Sequence, residues 1–160
     1  MTAETTRHND IILTVADLTV GYHEEDDSWR EAVRHVSLEI HAGESYGLVG
    51  ESGSGKTTLA LAVMGYLPEE GMVCQGAIRF NDRDLLALSD REMRTLWGSQ
   101  MALVPQNARA SLNPAMRIGE QAAEILRRHQ GLNGKEAKTR VQELFERVRL
   151  GDTERVANAY

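Results

Sequence analysis

The chain has 160 residues, 41% apolar and 26% charged, with a net charge of −6 and a pI near 5.4. That length is enough for one domain with its own core, and the acidic balance excludes a predominantly basic surface and argues against general binding to nucleic acid. A single cysteine, Cys74, excludes an intrachain disulfide.

Residues 1–10 are polar, read as a flexible tail, and lack the apolar segment of a signal peptide. Residues 11–20, rich in Ile, Leu, Val and Thr, predict a strand. Residues 21–27 read as a loop ending in the solvated acidic run Glu24, Glu25, Asp26 and Asp27. Val36, Leu38 and Ile40 alternate with Ser37, Glu39 and His41, the pattern of a half-buried strand, closed by a turn at Ala42-Gly43-Glu44. Residues 45–49 read as a short strand of the kind buried in a parallel sheet, and residues 58–64 as a buried helix. The longest apolar stretch, Leu59 to Leu67, falls short of the ~20 residues needed to span a bilayer. Cys74 reads as a small buried or half-buried residue.

Residues 76–80 predict another strand, ended by Asn81 and Asp82. Ser89 to Glu92 can cap a helix running to about Trp97, and residues 101–104 read as a buried strand ending at Pro105 and Gln106. The rest reads as helical. Ile118, Ala122, Ile125 and Leu126 form one apolar stripe; Ala137, Val141, Leu144, Phe145 and Val148 form a second; Gly131 to Gly134 separates them, and residues 152–160 are again helix-like. Both stripes are expected to face a core. Strands crowd the first half and helices the second, which predicts an α/β nucleotide-binding core followed by a helical subdomain.

The run from Gly50 to Thr58 fits the phosphate-loop pattern G-x-x-x-x-G-K-[ST]. Gly50, Gly53 and Gly55 permit backbone conformations that side chains forbid, and with Ser52 and Ser54 they let consecutive N–H groups converge on an anion. The helix that follows adds the positive end of its dipole. Lys56 brings a full charge to the β- and γ-phosphates, the Thr57 hydroxyl is placed to ligate Mg2+, and Thr58 completes the loop. A strand before the loop and a helix after it are the context this chemistry requires.

These segments together resemble the ATP-binding subunits of ABC transporters. Val20-Gly21-Tyr22 resembles the loop whose aromatic residue stacks on adenine, Gly43-Glu44 and Leu48 to Thr58 resemble the family's phosphate loop, and Val104-Pro105-Gln106 resembles its glutamine loop. Ala110-Ser111-Leu112-Asn113-Pro114 with Ile118-Gly119-Glu120-Gln121 is similar to importers of dipeptides, oligopeptides and nickel. The family's common Gln-Asp-Pro is Gln106-Asn107-Ala108 here.

The resemblance implies an α/β P-loop NTPase core over residues 11–106 and the start of a helical subdomain over 107–160, the segment that meets the membrane subunit. It implies ATP and Mg2+ as cofactors, Lys56 and Gln106 as catalytic groups, Thr57 and Gln106 at the metal, and Tyr22 at the base. The implied partners are membrane-spanning permease subunits and a second ATP-binding subunit, at the cytoplasmic face of the membrane. The family's Leu-Ser-Gly-Gly-type signature, its apolar strand ending in Asp-Glu and its later histidine do not occur in these 160 residues. The chain is therefore expected to be the N-terminal part of the domain, and to bind ATP without hydrolysing it. The alternatives are a non-catalytic nucleotide-binding fragment and another class of P-loop NTPase.

Overall fold

The computed structural model describes residues 10–26, 28–107 and 111–160. Residues 1–9 of the expected tail over 1–10, the last acid of the run at Asp27, and the positions Ala108 and Ala110 lie outside the described residues. The chain divides into two compact units, Met1–Thr95 and Leu96–Tyr160.

The first unit is built on a four-stranded sheet in the order β2-β1-β3-β4. Its strands are β1 (Ile11–His23), β2 (Trp29–His41), β3 (Gly71–Phe80) and β4 (Arg83–Asp84), and every pairing is antiparallel. β1 runs three residues past the expected end, so Gly21, Tyr22 and His23 are strand residues and the hairpin loop begins at Glu24. The alternation in β2 appears through Ile40: Val36, Leu38 and Ile40 are half-buried and Ser37 and Glu39 exposed, but His41, expected on the exposed side, is half-buried. Val15, Leu18, Val20, Val33 and Ile78 form the buried face. Helix α1 (Lys56–Val63) packs on β1, β2 and β3 and adds Leu59 and Ala62 to that core. Burying the Val, Leu and Ile side chains among them stabilises the layer by about 1.5–3 kcal/mol each.

One irregularity crosses three strands. Asp17 on β1, His35 on β2 and Gly76 on β3 have φ of 49°, 48° and 97°, and both ladders of β1 shift register there. Polar side chains take over the interrupted hydrogen bonding. The Asp17 N–H donates to Ser37 Oγ at 2.9 Å and the His35 N–H to Thr19 Oγ1 at 3.2 Å. Asp17 Oδ1 pairs with His35 Nδ1 at 2.8 Å and Oδ2 accepts from Gln75 Nε2 at 2.5 Å. These contacts hold the Asp17 carboxyl below its ordinary value, the hydrogen bond to His35 first and that to Gln75 second.

Asp84 caps a 3-10 turn at Leu85–Ala87, and α2 (Asp90–Leu96) follows. The expected cap of α2 is present: Glu92 Oε2 accepts from the Ser89 N–H at 2.9 Å, and the Glu92 N–H reaches Ser89 Oγ at 3.4 Å.

The second unit packs α3 (Ile118–Gln130), α4 (Gly134–Arg147) and α5 (Thr153–Asn158) together. Gly131, at φ 67°, closes α3, and Asn133 with Glu136 forms a capping box on α4. The core is Ala123, Leu126, Ala137 and Val141, flanked by Ala122, Leu132, Leu144 and Phe145. Two stripe members depart from expectation. Ile125 is 59% exposed, because the buried stripe of α3 runs through Ala123 and Leu126 instead; Val148 is 67% exposed, because it is the C-cap of α4 and not a packed turn.

Three further expectations are corrected. Residues 45–49 form no strand, and Val49 is 91% exposed. Of residues 101–104 only Met101 pairs, through a single parallel bridge to Trp97, and Val104 is 88% exposed. A strand needs a neighbour to satisfy its backbone, and neither segment has one among the described residues, so no parallel sheet forms. Cys74, expected buried or half-buried, is exposed, since it sits on the outer face of β3.

Candidate functional site: a phosphate loop at the head of a helix

The loop from Gly50 to Gly55 leads directly into α1, whose first residue is Lys56. Gly53 and Gly55 adopt left-handed φ of 80° and 86°. At Gly55 the requirement is double, since a Cβ there would also lie 2.3 Å from the main-chain oxygen of Ala32. The loop is thus pressed onto β2, which fixes where α1 begins. Gly55 is the N-cap and offers no side chain to the first turn, so the opening N–H groups of α1 have no side-chain cap. That is the local geometry by which a helix end receives an anion.

Lys56 is folded back along its own loop. Its Nζ donates to Gly50 O at 2.8 Å, Glu51 O at 2.6 Å and Ser54 Oγ at 3.1 Å. An ammonium has three donors, and here all three point to the loop that would surround a phosphate. The cation is therefore held at the site by the backbone it serves. Thr57 is exposed beside it, with Ser52 and Ser54 exposed on the loop. The donor set, with one ammonium, loop N–H groups and a hydroxyl next to the lysine, fits a triphosphate with its magnesium.

Tyr22 reaches from β1 to the first turn of α1, just beyond this loop. Its hydroxyl donates to Thr58 Oγ1 at 3.2 Å, and its ring lies against bare Gly71, where a Cβ would come within 2.8 Å of Cε1. A hollow of about 400 Å³ lies beside the loop, between Ala32, Val33 and Val36 of β2 and Leu48, Val49 and Lys56.

The structure thus brings Tyr22, Gly50, Ser54, Gly55, Lys56 and Thr58 together in the first unit. Gln106 belongs to the second unit, where it is exposed. There the Ser111–Pro114 segment is tied to α3 by one side chain that the sequence singled out only as part of a motif. Gln121 Oε1 accepts from the Asn113 N–H at 2.9 Å, and Gln121 Nε2 donates to Asn113 O at 2.9 Å and Met116 O at 2.8 Å. The same unit has a smaller hollow, of about 220 Å³, between Arg117, Lys138 and Glu154, which contains no residue of the loop. Among the described residues, no group of three or more His, Cys, Asp or Glu side chains could hold a metal ion, and no helix is long and apolar enough to cross a membrane.

Residues 33–160 match the family model described as ABC transporter. The chain is 38% identical, over 97% of its length, to the oligopeptide transport ATP-binding protein AmiE of Streptococcus pneumoniae. It is 38% identical, over 93%, to a putative peptide import ATP-binding protein of Brucella abortus, and 37% identical, over 94%, to the oligopeptide transport ATP-binding protein OppD of Salmonella typhimurium. It spans 44–45% of the length of those relatives. Among solved structures it is similar to the dimeric MJ0796, a bacterial ABC transporter cassette, with a TM-score of 0.79 at 22% identity over 92% of this chain and 61% of that one. A dimeric post-hydrolysis state of the same cassette, bound to ADP and Pi, gives a TM-score of 0.76 at 23% identity.

Proposed function

The chain belongs to the ABC transporter family, and on that premise we propose that it is the nucleotide-binding portion of an ATP-binding subunit that drives import of peptides. The observation that carries this reading is the loop itself: left-handed Gly53 and Gly55 deliver Lys56 to the head of α1, in a chain similar over nearly its whole length to oligopeptide transport ATP-binding proteins. Nickel is the second solute class consistent with the sequence around Ser111–Pro114.

In this reading Lys56 turns from the Gly50 and Glu51 carbonyls toward the β- and γ-phosphates of ATP. The uncapped N–H groups of α1 and the loop share the remaining charge, and Tyr22 presents its ring to adenine. Magnesium, held by the Thr57 hydroxyl, would neutralise charge on the phosphate oxygens, and Gln106 is the further metal ligand that the family resemblance implies. The helical part after Gln106 carries the Ser111–Pro114 segment, which Gln121 fixes in place for a membrane-spanning permease. A second ATP-binding subunit would face the first across ATP, at the cytoplasmic side of the membrane. The 160 residues bind ATP without turning it over, since they contain no Asp-Glu pair and no Ser-Gly-Gly.

The test is uptake of a labelled oligopeptide by cells of the source organism carrying Lys56→Ala in the gene. The expected result is loss of peptide uptake. Unchanged uptake of both peptide and nickel would remove the import reading.

A further inference from the structure

The Tyr22 ring is fixed at both ends. Gly71 lies against one edge, and the hydroxyl donates to Thr58 Oγ1 from a residue 36 positions away in sequence. A ring that serves only as a stacking face needs no hydroxyl, and phenylalanine would do as well. Here the hydroxyl ends on the first turn of α1, two residues beyond Lys56. A hydroxyl that accepts one hydrogen bond still has its own proton to give, and donors linked in a chain polarise one another.

We propose that Tyr22 and Thr58 form a two-hydroxyl relay. Tyr22 donates to Thr58, which leaves the Thr58 proton to be donated to the phosphate chain of a nucleotide. Tyr22 is thus a positioning residue for the phosphate grip as well as a face for the base, and the two ends of the site are coupled through one hydrogen bond. The inference rests on the nucleotide-site reading above and assigns the Tyr22 hydroxyl a task that stacking does not.

Inorganic tripolyphosphate separates the two tasks, because it has no base to stack. Calorimetric titration of the full chain with Mg-ATP and with Mg-tripolyphosphate would compare wild type, Tyr22→Phe, Thr58→Val, Thr58→Ser and the double variant Tyr22→Phe/Thr58→Val. The relay predicts that Tyr22→Phe weakens both ligands about threefold to tenfold, the loss of one net hydrogen bond. Thr58→Val should weaken both at least as much, the double variant no more than Thr58→Val, and Thr58→Ser should restore wild-type binding. Tripolyphosphate affinity unchanged in Tyr22→Phe overturns the relay, as does a double variant whose losses simply add. Lys56→Ala, run beside them, tests the underlying reading separately. If it leaves tripolyphosphate binding intact, the phosphate site is misassigned; if it abolishes binding while Tyr22→Phe leaves tripolyphosphate affinity unchanged, the relay alone fails. Melting curves of Thr58→Val and Thr58→Ser distinguish a lost hydroxyl from a lost fold.

Discussion

Lys56 and Tyr22 show how much one side chain's role depends on where its polar end goes. The lysine ammonium is directed by Gly50 O, Glu51 O and Ser54 Oγ, so a phosphate entering the proposed site would compete with main-chain carbonyls for it and not with water alone. Removing the ring of Tyr22 is expected to weaken ATP further than removing its hydroxyl does. Aromatic stacking contributes about 0.5–1.5 kcal/mol, so Tyr22→Ala should bind ATP several-fold more weakly than Tyr22→Phe, while the two bind tripolyphosphate alike; fluorescence titration with both ligands checks this. Asp17 supplies a pH signature. Its folded carboxyl lies below the ordinary value of 3.8, chiefly through His35 and then Gln75. The stability it contributes is therefore complete above that value and lost as pH falls through the lower folded one. In Asp17→Asn the acid limb of the melting-temperature profile should flatten below about pH 4 and keep its shape above. The loop residues were legible in the sequence because glycine, lysine and hydroxyl spacing is local chemistry, whereas Tyr22 was singled out only by the family resemblance. The Tyr22–Thr58 hydrogen bond was not legible, since no spacing rule joins residues on two elements.

At the scale of elements, the sheet bulge and the Gln121 clamp carry the clearest consequences. Gly76 sits where a Cβ would lie 2.5 Å from Asp17 O and 2.6 Å from Ala16 O, at φ 97°. Gly76→Ala should cost about 1–3 kcal/mol from backbone strain and steric clash, read as a lower denaturant midpoint at unchanged slope. Gln121→Leu should release the Asn113–Met116 turn, so the Asn113 amide exchanges faster; Gln121→Glu keeps the acceptor for that amide but sets an oxygen against the Asn113 and Met116 carbonyls, and should keep only part of that protection. Hydrogen exchange resolved at Asn113 decides between them.

Element types were legible where periodicity was long, as in β2, α3 and α4. They were not legible at residues 45–49 and 101–104, where apolar composition describes what a strand would look like but not whether a partner strand is there to pair with it. The stripe on α3 was misread at Ile125 because helical spacing from Ile118 and Ala122 points to it, whereas the buried face runs through Ala123, which is fully buried, and Leu126.

For the whole molecule, the exposed apolar surface matters most. Leu48, Val49, Leu103 and Val104 are 44%, 91%, 43% and 88% exposed. Unpaired apolar segments of this kind favour association, so sedimentation of the purified 160-residue chain should show concentration-dependent self-association, and substituting Val49 and Val104 with Lys should reduce it. Phosphate release from ATP by the same chain should match that of a Lys56→Ala control, because electrostatic catalysis loses ~10²–10³ in rate for each donor removed. Steady release above that control would place a catalytic acid within these residues.

The most direct test of the account is calorimetric titration of Mg-ATP into wild type and Lys56→Ala. The ammonium's charge-assisted hydrogen bonds to phosphate contribute ~1.5–3 kcal/mol, which predicts an affinity about tenfold to over a hundredfold weaker in the variant. An affinity equal to wild type would contradict the assignment of the loop from Gly50 to Thr58 as the site that holds the nucleotide.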